Sequence, residues 1–139
     1  MEFSDVIQKR YSSRKYRPDP VGEEKVQQVL EAVRLAPTAA NRQPFKFIVI
    51  HTAGREIELR KIYNADWFVQ ARIIVCGWQS HQKRGFAGMA RITPISTELG
   101  LGTCWIVAFD PVAARKVLGL PNDVEPILFT LRGYMDAQI

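Results

Sequence analysis

The sequence predicts a single domain, residues 1–139, in which helices pack on a β-sheet. The length of 139 residues suits one domain, and the 47% share of hydrophobic residues is enough for a core. Apolar runs of strand length recur along the chain, and segments with helical periodicity separate them. Strands and helices that alternate in this way indicate a mixed α/β layer architecture.

The helices are predicted from apolar residues at helical spacing and from end signals. Val26, Val29 and Val33 form one apolar face, which marks the second helix. Asp110 before a proline is an N-terminal signal for the last helix, and Gly119 is its C-terminal signal. The predicted helices span residues 3–11, 23–35, 56–63, 93–99 and 110–119.

The strands are predicted from short apolar runs without helical spacing. They span residues 45–50, 73–78, 104–109 and 127–131. Each run carries apolar residues on both faces, which is typical of a strand that is covered on both sides. We therefore expect a sheet buried between layers of helices.

A basic, hydroxyl-rich segment follows the first helix. Arg10, Ser12 and Arg14 alternate along the chain, so in an extended backbone they project to one side while Tyr11 and Ser13 project to the other. Two guanidinium groups and a hydroxyl on one side form a cradle for a phosphate. The competing interpretation is a solvated helix C-terminus, where cations suit the helix dipole, and this segment alone favours it.

A polar turn at residues 36–45 offers a second set of ligand-binding groups. Asn41 and Gln43 carry carboxamides, which can hydrogen-bond the edge of a heterocycle. The competing interpretation is an ordinary loop, and it wins when the turn is taken alone. Together with the basic segment, however, the turn suggests a phosphorylated cofactor that contains a ring.

Composition excludes several classes of protein and site. The net charge of +5 permits contact with nucleic acid or a membrane but does not require it. The hypothesis of a small nucleic-acid-binding protein is supported by charge alone. We find no G-x-G-x-x-G fingerprint, no P-loop and no G-x-S-x-G motif. Cys76 and Cys104 lie in apolar runs and are predicted to be reduced core residues of a cytoplasmic protein without a metal site. No run has the length of a membrane helix.

Five motifs in order give the chain a resemblance to a known family. They are R-x-S-x-R at 10–14, A-P-T-A-A-N-R-Q-P-F at 36–45, D-W-F-V-Q-A at 66–71, E-L-G-L-G-T-C-W-I at 98–106 and G-Y at 133–134. Each motif alone is modest, but the ordered set covers most of the chain. The sequence thus resembles the nitroreductase family of flavin enzymes.

The resemblance implies an α+β fold with a mixed β-sheet flanked by helices and an FMN site at a homodimer interface. It implies an FMN-dependent oxidoreductase of the cytoplasm, in which NAD(P)H and then a nitroaromatic, quinone or similar acceptor react in ping-pong order. Neither nucleic acid nor a membrane is an expected partner. The alternative is a flavin-binding or interaction module with the same fold and little or no turnover.

The resemblance also implies a set of cofactor-binding residues. Arg10 and Ser12 would hold the FMN phosphate, and Arg14 would stabilise the charge that develops on the reduced ring. No catalytic acid or base of the protein is expected, because the flavin carries the chemistry. The full set is Arg10, Tyr11, Ser12, Ser13, Arg14, Pro37, Thr38, Ala39, Asn41, Gln43, Gly100, Leu101, Gly102, Val107 and Ala108.

The chain departs from the family pattern at two places. In the centre, residues 84–94 hold two glycines and Pro94, which predicts against a long continuous helix there. A short helix is instead expected to begin at Thr93, with Pro94 in its first turn. At the other end, the chain stops soon after Gly133 and Tyr134. We therefore expect a shortened centre and C-terminus, with consequences for FMN affinity and dimer formation.

Overall fold

The computed structural model describes residues 2–35, 45–80 and 87–135. The helices in these ranges are α1 Phe3–Lys9, α2 Glu23–Arg34, α3 Glu56–Leu59, α4 Asp66–Gln70, α5 Ala87–Glu98 and α6 Pro111–Leu118. The strands are β1 Phe45–His51, β2 Ile73–Ser80, β3 Gly102–Ile106 and β4 Val124–Gly133.

The four strands form one sheet in the order β1-β2-β4-β3, and all three pairs are antiparallel. One parallel bridge adds to this sheet, between Ser12 and Thr103 of the edge strand β3. Helices flank a largely antiparallel sheet, so the predicted α+β fold is confirmed. The expected sheet is mixed, with both parallel and antiparallel pairing. Within the described ranges, the parallel pairing comes from the bridge between Ser12 and Thr103.

Both faces of the sheet are buried, as the sequence predicts. On one face, Phe129 and Leu131 of β4 pack with Phe68 of α4. On the other face, Leu128 packs in a cluster with the valines of α2, including Val29. Neighbouring residues of β4 therefore serve different clusters, because successive side chains of a strand point to opposite faces.

Local signals predict α2 and α6 correctly. Asp110 caps α6: its carboxylate accepts hydrogen bonds from the backbone N–H groups of Val112 at 3.0 Å and Ala113 at 3.1 Å. Gly119 ends the helix in the left-handed conformation, with φ at 65°. These contacts satisfy backbone groups at both ends of a helix of eight residues.

The expectation for the centre of the chain is wrong. Pro94 lies inside α5, which begins at Ala87, and it does not stand in the first turn of a helix that begins at Thr93. Proline removes one backbone donor from the helix, which is a local cost. α5 packs against both α2 and α1, and this tertiary packing outweighs the local preference.

Several boundaries differ from the predictions. α3 ends at Leu59, where the sequence predicts a helix to Tyr63, and the five-residue α4 is too short to show a period. β3 is predicted from Cys104 to Phe109 but ends at Ile106. β2 and β4 extend beyond their predicted runs, because residues outside the apolar runs, such as Gln79 of β2 and Arg132 of β4, still pair in the sheet. Within the described ranges, we find no helix with the length and hydrophobicity needed to cross a membrane.

Candidate functional site

The basic segment is extended and is tied to the edge of the sheet. α1 ends at Lys9, and Arg10 has extended backbone angles, φ −68° and ψ 132°. Ser12 forms the parallel bridge with Thr103, and the backbone N–H of Ser13 donates to the carbonyl of Thr103 at 2.7 Å. The segment thus continues the sheet beyond β3, and its backbone is fixed by hydrogen bonds.

The exposure of the side chains agrees with the predicted alternation. Arg10, Ser12 and Arg14 are exposed. Ser13, on the other side, is 2% exposed and packs toward the interior. Tyr11 is half-buried. Two cations and a hydroxyl therefore face solvent from one stretch of fixed backbone, which is the arrangement that the cradle interpretation requires.

Two glycines of the sheet allow the basic segment to pack closely against it. Gly102 and Gly133 pair across β3 and β4. A Cβ added to Gly102 would lie 2.5 Å from the Oγ of Ser13, and one added to Gly133 would lie 2.9 Å from the Cδ1 of Tyr16. The Tyr16 hydroxyl donates to the Ser13 carbonyl at 2.8 Å, which closes the segment over these glycines.

We expect Gly102→Ala to destabilise the fold by about 1–3 kcal/mol, the usual cost of overpacking. The added methyl group would meet Ser13 and Met135 at 2.5 Å, so both must move. Urea denaturation measures the change. Gly22→Ala is the control, because a Cβ at Gly22 meets nothing within 4 Å. Gly22 is the N-cap residue of α2, so Gly22→Ala should lower the free energy of unfolding only by the difference in N-cap preference, which is below about 1 kcal/mol. Equal losses in the free energy of unfolding for the two substitutions would contradict close packing at Gly102.

A cavity of about 390 Å³ opens beside the basic segment, between α1, α5 and β3. Its lining includes the charged Arg10 and the hydroxyl-bearing Ser12 of the basic segment. The remaining lining is largely apolar and consists of Phe3, Val6, Ile7, Thr93, Pro94, Thr103, Cys104 and Trp105. A cation and a hydroxyl next to an apolar wall suit a ligand that joins an anionic group to a flat, apolar one.

Trp105 is the largest side chain of this wall. Its indole Nε1–H donates to the Oγ1 of Thr93 on α5 at 2.8 Å, and its side chain remains 40% exposed. The hydrogen bond fixes the ring between β3 and α5. Sequence reasoning misses both residues as site residues, because Trp105 lies in a strand-like run and Thr93 stands where a short helix is expected to begin. The alternation of β3 places Trp105 on the same face as Thr103, but this signal alone does not show that the face lines a cavity.

The apolar face of α1 also belongs to the cavity. Phe3 is 68% exposed and Ile7 is 59% exposed, while Val6 is buried. Large apolar side chains that stay exposed next to a cavity mark a surface for binding. The sequence predicts this helix from the same residues, but periodicity does not tell a core face from a cavity face.

The surroundings of Arg14 and Cys104 bear on the chemical roles that these two residues can have. The guanidinium carbon of Arg14 lies 5.8 Å from the ring centre of Trp67, a cation–π contact, and Arg14 does not line the cavity. Burial raises the pKa of the Cys104 thiol, and the charge of Arg14 only partly opposes this rise. The thiol is therefore protonated at neutral pH, which argues against a role as a nucleophile.

Five predicted site residues around β3 do not line the cavity. Gly100, at φ 79°, forms the turn after α5. Leu101 is 2% exposed and packs with the α2 cluster, and Gly102 lies against Ser13. Val107 and Ala108 are exposed just after β3. Their contacts with a cofactor stay predictions.

The remaining predicted site residues lie outside the described residues. They are Pro37, Thr38, Ala39, Asn41 and Gln43. In the part of the chain that the structure describes, no group of three or more His, Cys, Asp or Glu residues is placed to hold a metal ion. The cavity with Arg10 and Ser12 is thus the part of the predicted site that the structure brings together.

Comparison with known proteins finds likeness over nearly the whole chain. The family model described as the nitroreductase family matches residues 7–75. A solved nitroreductase family protein from Clostridium difficile 630 is 32% identical, with 99% of this chain and 87% of that chain covered and a TM-score of 0.88. An NADH dehydrogenase of Thermus thermophilus is 25% identical over 170 residues, which cover 91% of this chain and 83% of that protein. The major NAD(P)H-flavin oxidoreductase of Aliivibrio fischeri is 36% identical over 72 residues, 50% of this chain and 33% of that protein.

Proposed function

The chain belongs to the nitroreductase family, and from this premise we propose that it is an FMN-dependent NAD(P)H oxidoreductase. The acceptor class is a nitroaromatic, a quinone or a similar compound, reduced in ping-pong order by a cytoplasmic homodimer. When bound, FMN would supply the chemistry of hydride transfer from NAD(P)H and of electron transfer to the acceptor.

The observation that carries the proposal is the cavity beside the basic segment. Arg10 and Ser12 line it, and the rest of its lining is largely apolar and includes Trp105. FMN joins a phosphate to a large flat ring, so its two parts match the two parts of this lining. A guanidinium and a hydroxyl are a suitable donor set for a phosphate. The residues present therefore fit the cofactor.

Each residue has a distinct task in this proposal. Arg10 and Ser12 hold the phosphate. Trp105, fixed by its hydrogen bond to Thr93, forms a rigid wall that excludes water from the apolar side of the cavity. Arg14 supplies positive charge that favours the reduced, more negative form of the ring. The chain needs no acid–base dyad for this reaction, because binding, orientation and electrostatics are the protein's contribution.

The family resemblance supplies the rest of the proposed site. Backbone groups of Pro37, Thr38 and Ala39 would line the flavin, and the carboxamides of Asn41 and Gln43 would hydrogen-bond its polar edge or its ribityl chain. The stretch from Gly100 to Gly102, with Val107 and Ala108, would bring backbone close to the reactive part of the ring. Tyr11 and Ser13 would support the basic segment from its buried side.

We expect Arg10→Ala to weaken FMN binding by about 1.5–3 kcal/mol, the scale of a charge-assisted hydrogen bond. Titration with FMN, followed by flavin fluorescence, measures the dissociation constant. Arg60→Ala is the matched control: it also removes one positive charge, but Arg60 pairs with Asp66 at 2.7 Å and does not line the cavity. Unchanged FMN affinity in Arg10→Ala would show that the phosphate binds elsewhere.

The enzymatic part of the proposal has its own test. The FMN-loaded protein should oxidise NAD(P)H when a quinone or nitroaromatic is added, with parallel lines in double-reciprocal plots as the signature of ping-pong order. Tight FMN binding without such turnover would favour the flavin-binding module over the oxidoreductase. No uptake of FMN at all would contradict both.

A further inference from the structure

Arg132 is a buried cation with incomplete hydrogen bonding. It lies on β4 and is 1% exposed. Its Nε donates to the Oγ of Ser96 on α5 at 3.1 Å, and its Nη1 donates to the carbonyl of Thr130 at 3.4 Å. Among the residues that the structure describes, its Nη2 has no hydrogen-bond partner. A buried charge without a counter-charge is costly to the fold, so this guanidinium is expected to attract an anion nearby.

The described residues offer Arg132 no such counter-charge. Their ion pairs involve other cations: Arg17, Arg34, Arg55 and Arg60. Tyr16 is the neighbouring acidic group, but burial raises the pKa of its phenol well above the usual range, so it stays neutral. Burial lowers the pKa of Arg132 to about 9, which still leaves the guanidinium charged at neutral pH.

The sheet places Arg132 behind the wall of the cavity. Ser12 bridges to Thr103, and Thr103 is paired with Arg132 across β3 and β4. Residues paired across strands point to the same face, so these three form a row on one face of the sheet. Ser12 and Thr103 both line the cavity. With neighbouring strands ~4.8 Å apart, Arg132 lies about 10 Å from Ser12 along the row.

Arg132 is also linked to the opposite wall. Its partner Ser96 lies on α5, the helix that places Thr93 and Pro94 in the cavity lining. A charge in this position is shielded from solvent on both sides. Its field therefore reaches the cavity with less screening by salt than that of an exposed cation.

We infer that Arg132 is a positioning residue whose buried charge makes the cavity select a phosphorylated flavin over the phosphate-free one. The inference rests on the proposed function, in which Arg10 and Ser12 contact the phosphate. Arg10 supplies the direct contact, and Arg132 adds attraction from behind the wall. Two cations, one exposed and one buried, would thus act on the same anionic group.

The test compares the affinities of two flavins, FMN and riboflavin, which share the ring and the ribityl chain but differ in the phosphate. Arg132→Met should weaken FMN binding by about tenfold or more, from a unit charge at ~10 Å and an effective dielectric constant of about 20. Riboflavin affinity should change by less than about threefold, because riboflavin carries no charge for Arg132 to attract. Arg115→Met is the matched control, since Arg115 bonds the Val124 carbonyl and does not line the cavity.

A second measurement separates this role from a merely structural one. Urea denaturation of the cofactor-free protein should show Arg132→Met to be as stable as the wild type or more stable, because the substitution removes an unsatisfied buried charge. A structural role predicts the opposite: lower stability and equal losses for both flavins. Arg132→Gln, which keeps a donor for Ser96, provides the same comparison if the methionine variant does not fold.

The outcomes distinguish the inference from the function on which it rests. A wild-type protein that prefers FMN to riboflavin, with the same preference in both Arg132 variants, would overturn the inference alone. A wild-type protein that binds FMN and riboflavin equally, or binds neither, would overturn the phosphate site and with it the proposed function.

Discussion

Phe129→Ala is expected to lower the free energy of unfolding by about 3–5 kcal/mol, the largest effect of any single substitution we predict. Phe129 lies on β4, in the middle of the sheet order, and is fully buried. It makes edge-to-face contacts with Phe68, with ring centres 5.9 Å apart, and with Phe109, with ring centres 4.8 Å apart. Truncation removes both contacts and leaves a cavity that the surrounding residues fill only in part.

Urea denaturation of the wild type and the variant measures this loss. Phe3→Ala is the matched control: it removes the same side chain from a site that is 68% exposed, so its cost should stay below about 1 kcal/mol. A cost for Phe129→Ala as small as that of the control would contradict the packing described for the centre of the sheet.

Alkaline pH is expected to destabilise the fold, with Cys76 as a main cause. Cys76 is fully buried on β2, and burial raises the pKa of its thiol from 9.0 to about 12. In the unfolded chain the thiol ionises near its ordinary pKa, whereas in the folded protein it stays protonated to higher pH. The stabilisation is thus complete below pH 9 and is lost as the pH rises toward 12. The total loss is on the order of 4 kcal/mol, and Tyr16 acts in the same direction.

The contribution of Cys76 is isolated by comparing unfolding free energies at several pH values. Cys76→Ala removes the thiol, so the gap between the wild type and this variant should narrow as the pH rises above about 9. Val75→Ala truncates the neighbouring buried residue, which is 1% exposed and cannot ionise. Its gap to the wild type should stay constant over the same range. A constant gap for Cys76→Ala as well would show that the thiol does not stay protonated in the fold.

The parts of the fold that local signals determine were predictable from the sequence. The cap at Asp110 and the glycine at 119 act within a few residues, and the valines of α2 repeat at the helical period. Strand order was not predictable, because pairing depends on residues far apart in the chain. Only the C-terminal part of α5 was predictable, for a related reason: packing against α2 overrides the local cost of Pro94 inside the helix.

The candidate site divides in the same way. Arg10 and Ser12 could be found because charged and hydroxyl residues at alternate positions stand out beside an apolar helix. Trp105 and Arg132 could not, because both lie in runs that are otherwise typical of buried strands. Their roles depend on which strand lies next to which, and in particular on the pairing of β3 with β4.

The place of β4 in the sheet sets the order in which a nascent chain can fold. β4 pairs with β2 on one side and β3 on the other, yet it is the last of the four strands in the sequence. While a ribosome is still synthesising residues 124–133, β3 has no strand to join and one edge of β2 stays open. Open strand edges and apolar surface are what chaperones bind and what drives aggregation. The sheet is therefore complete only after β4 has left the exit tunnel. A ribosome that stalls before this point would expose an aggregation-prone intermediate.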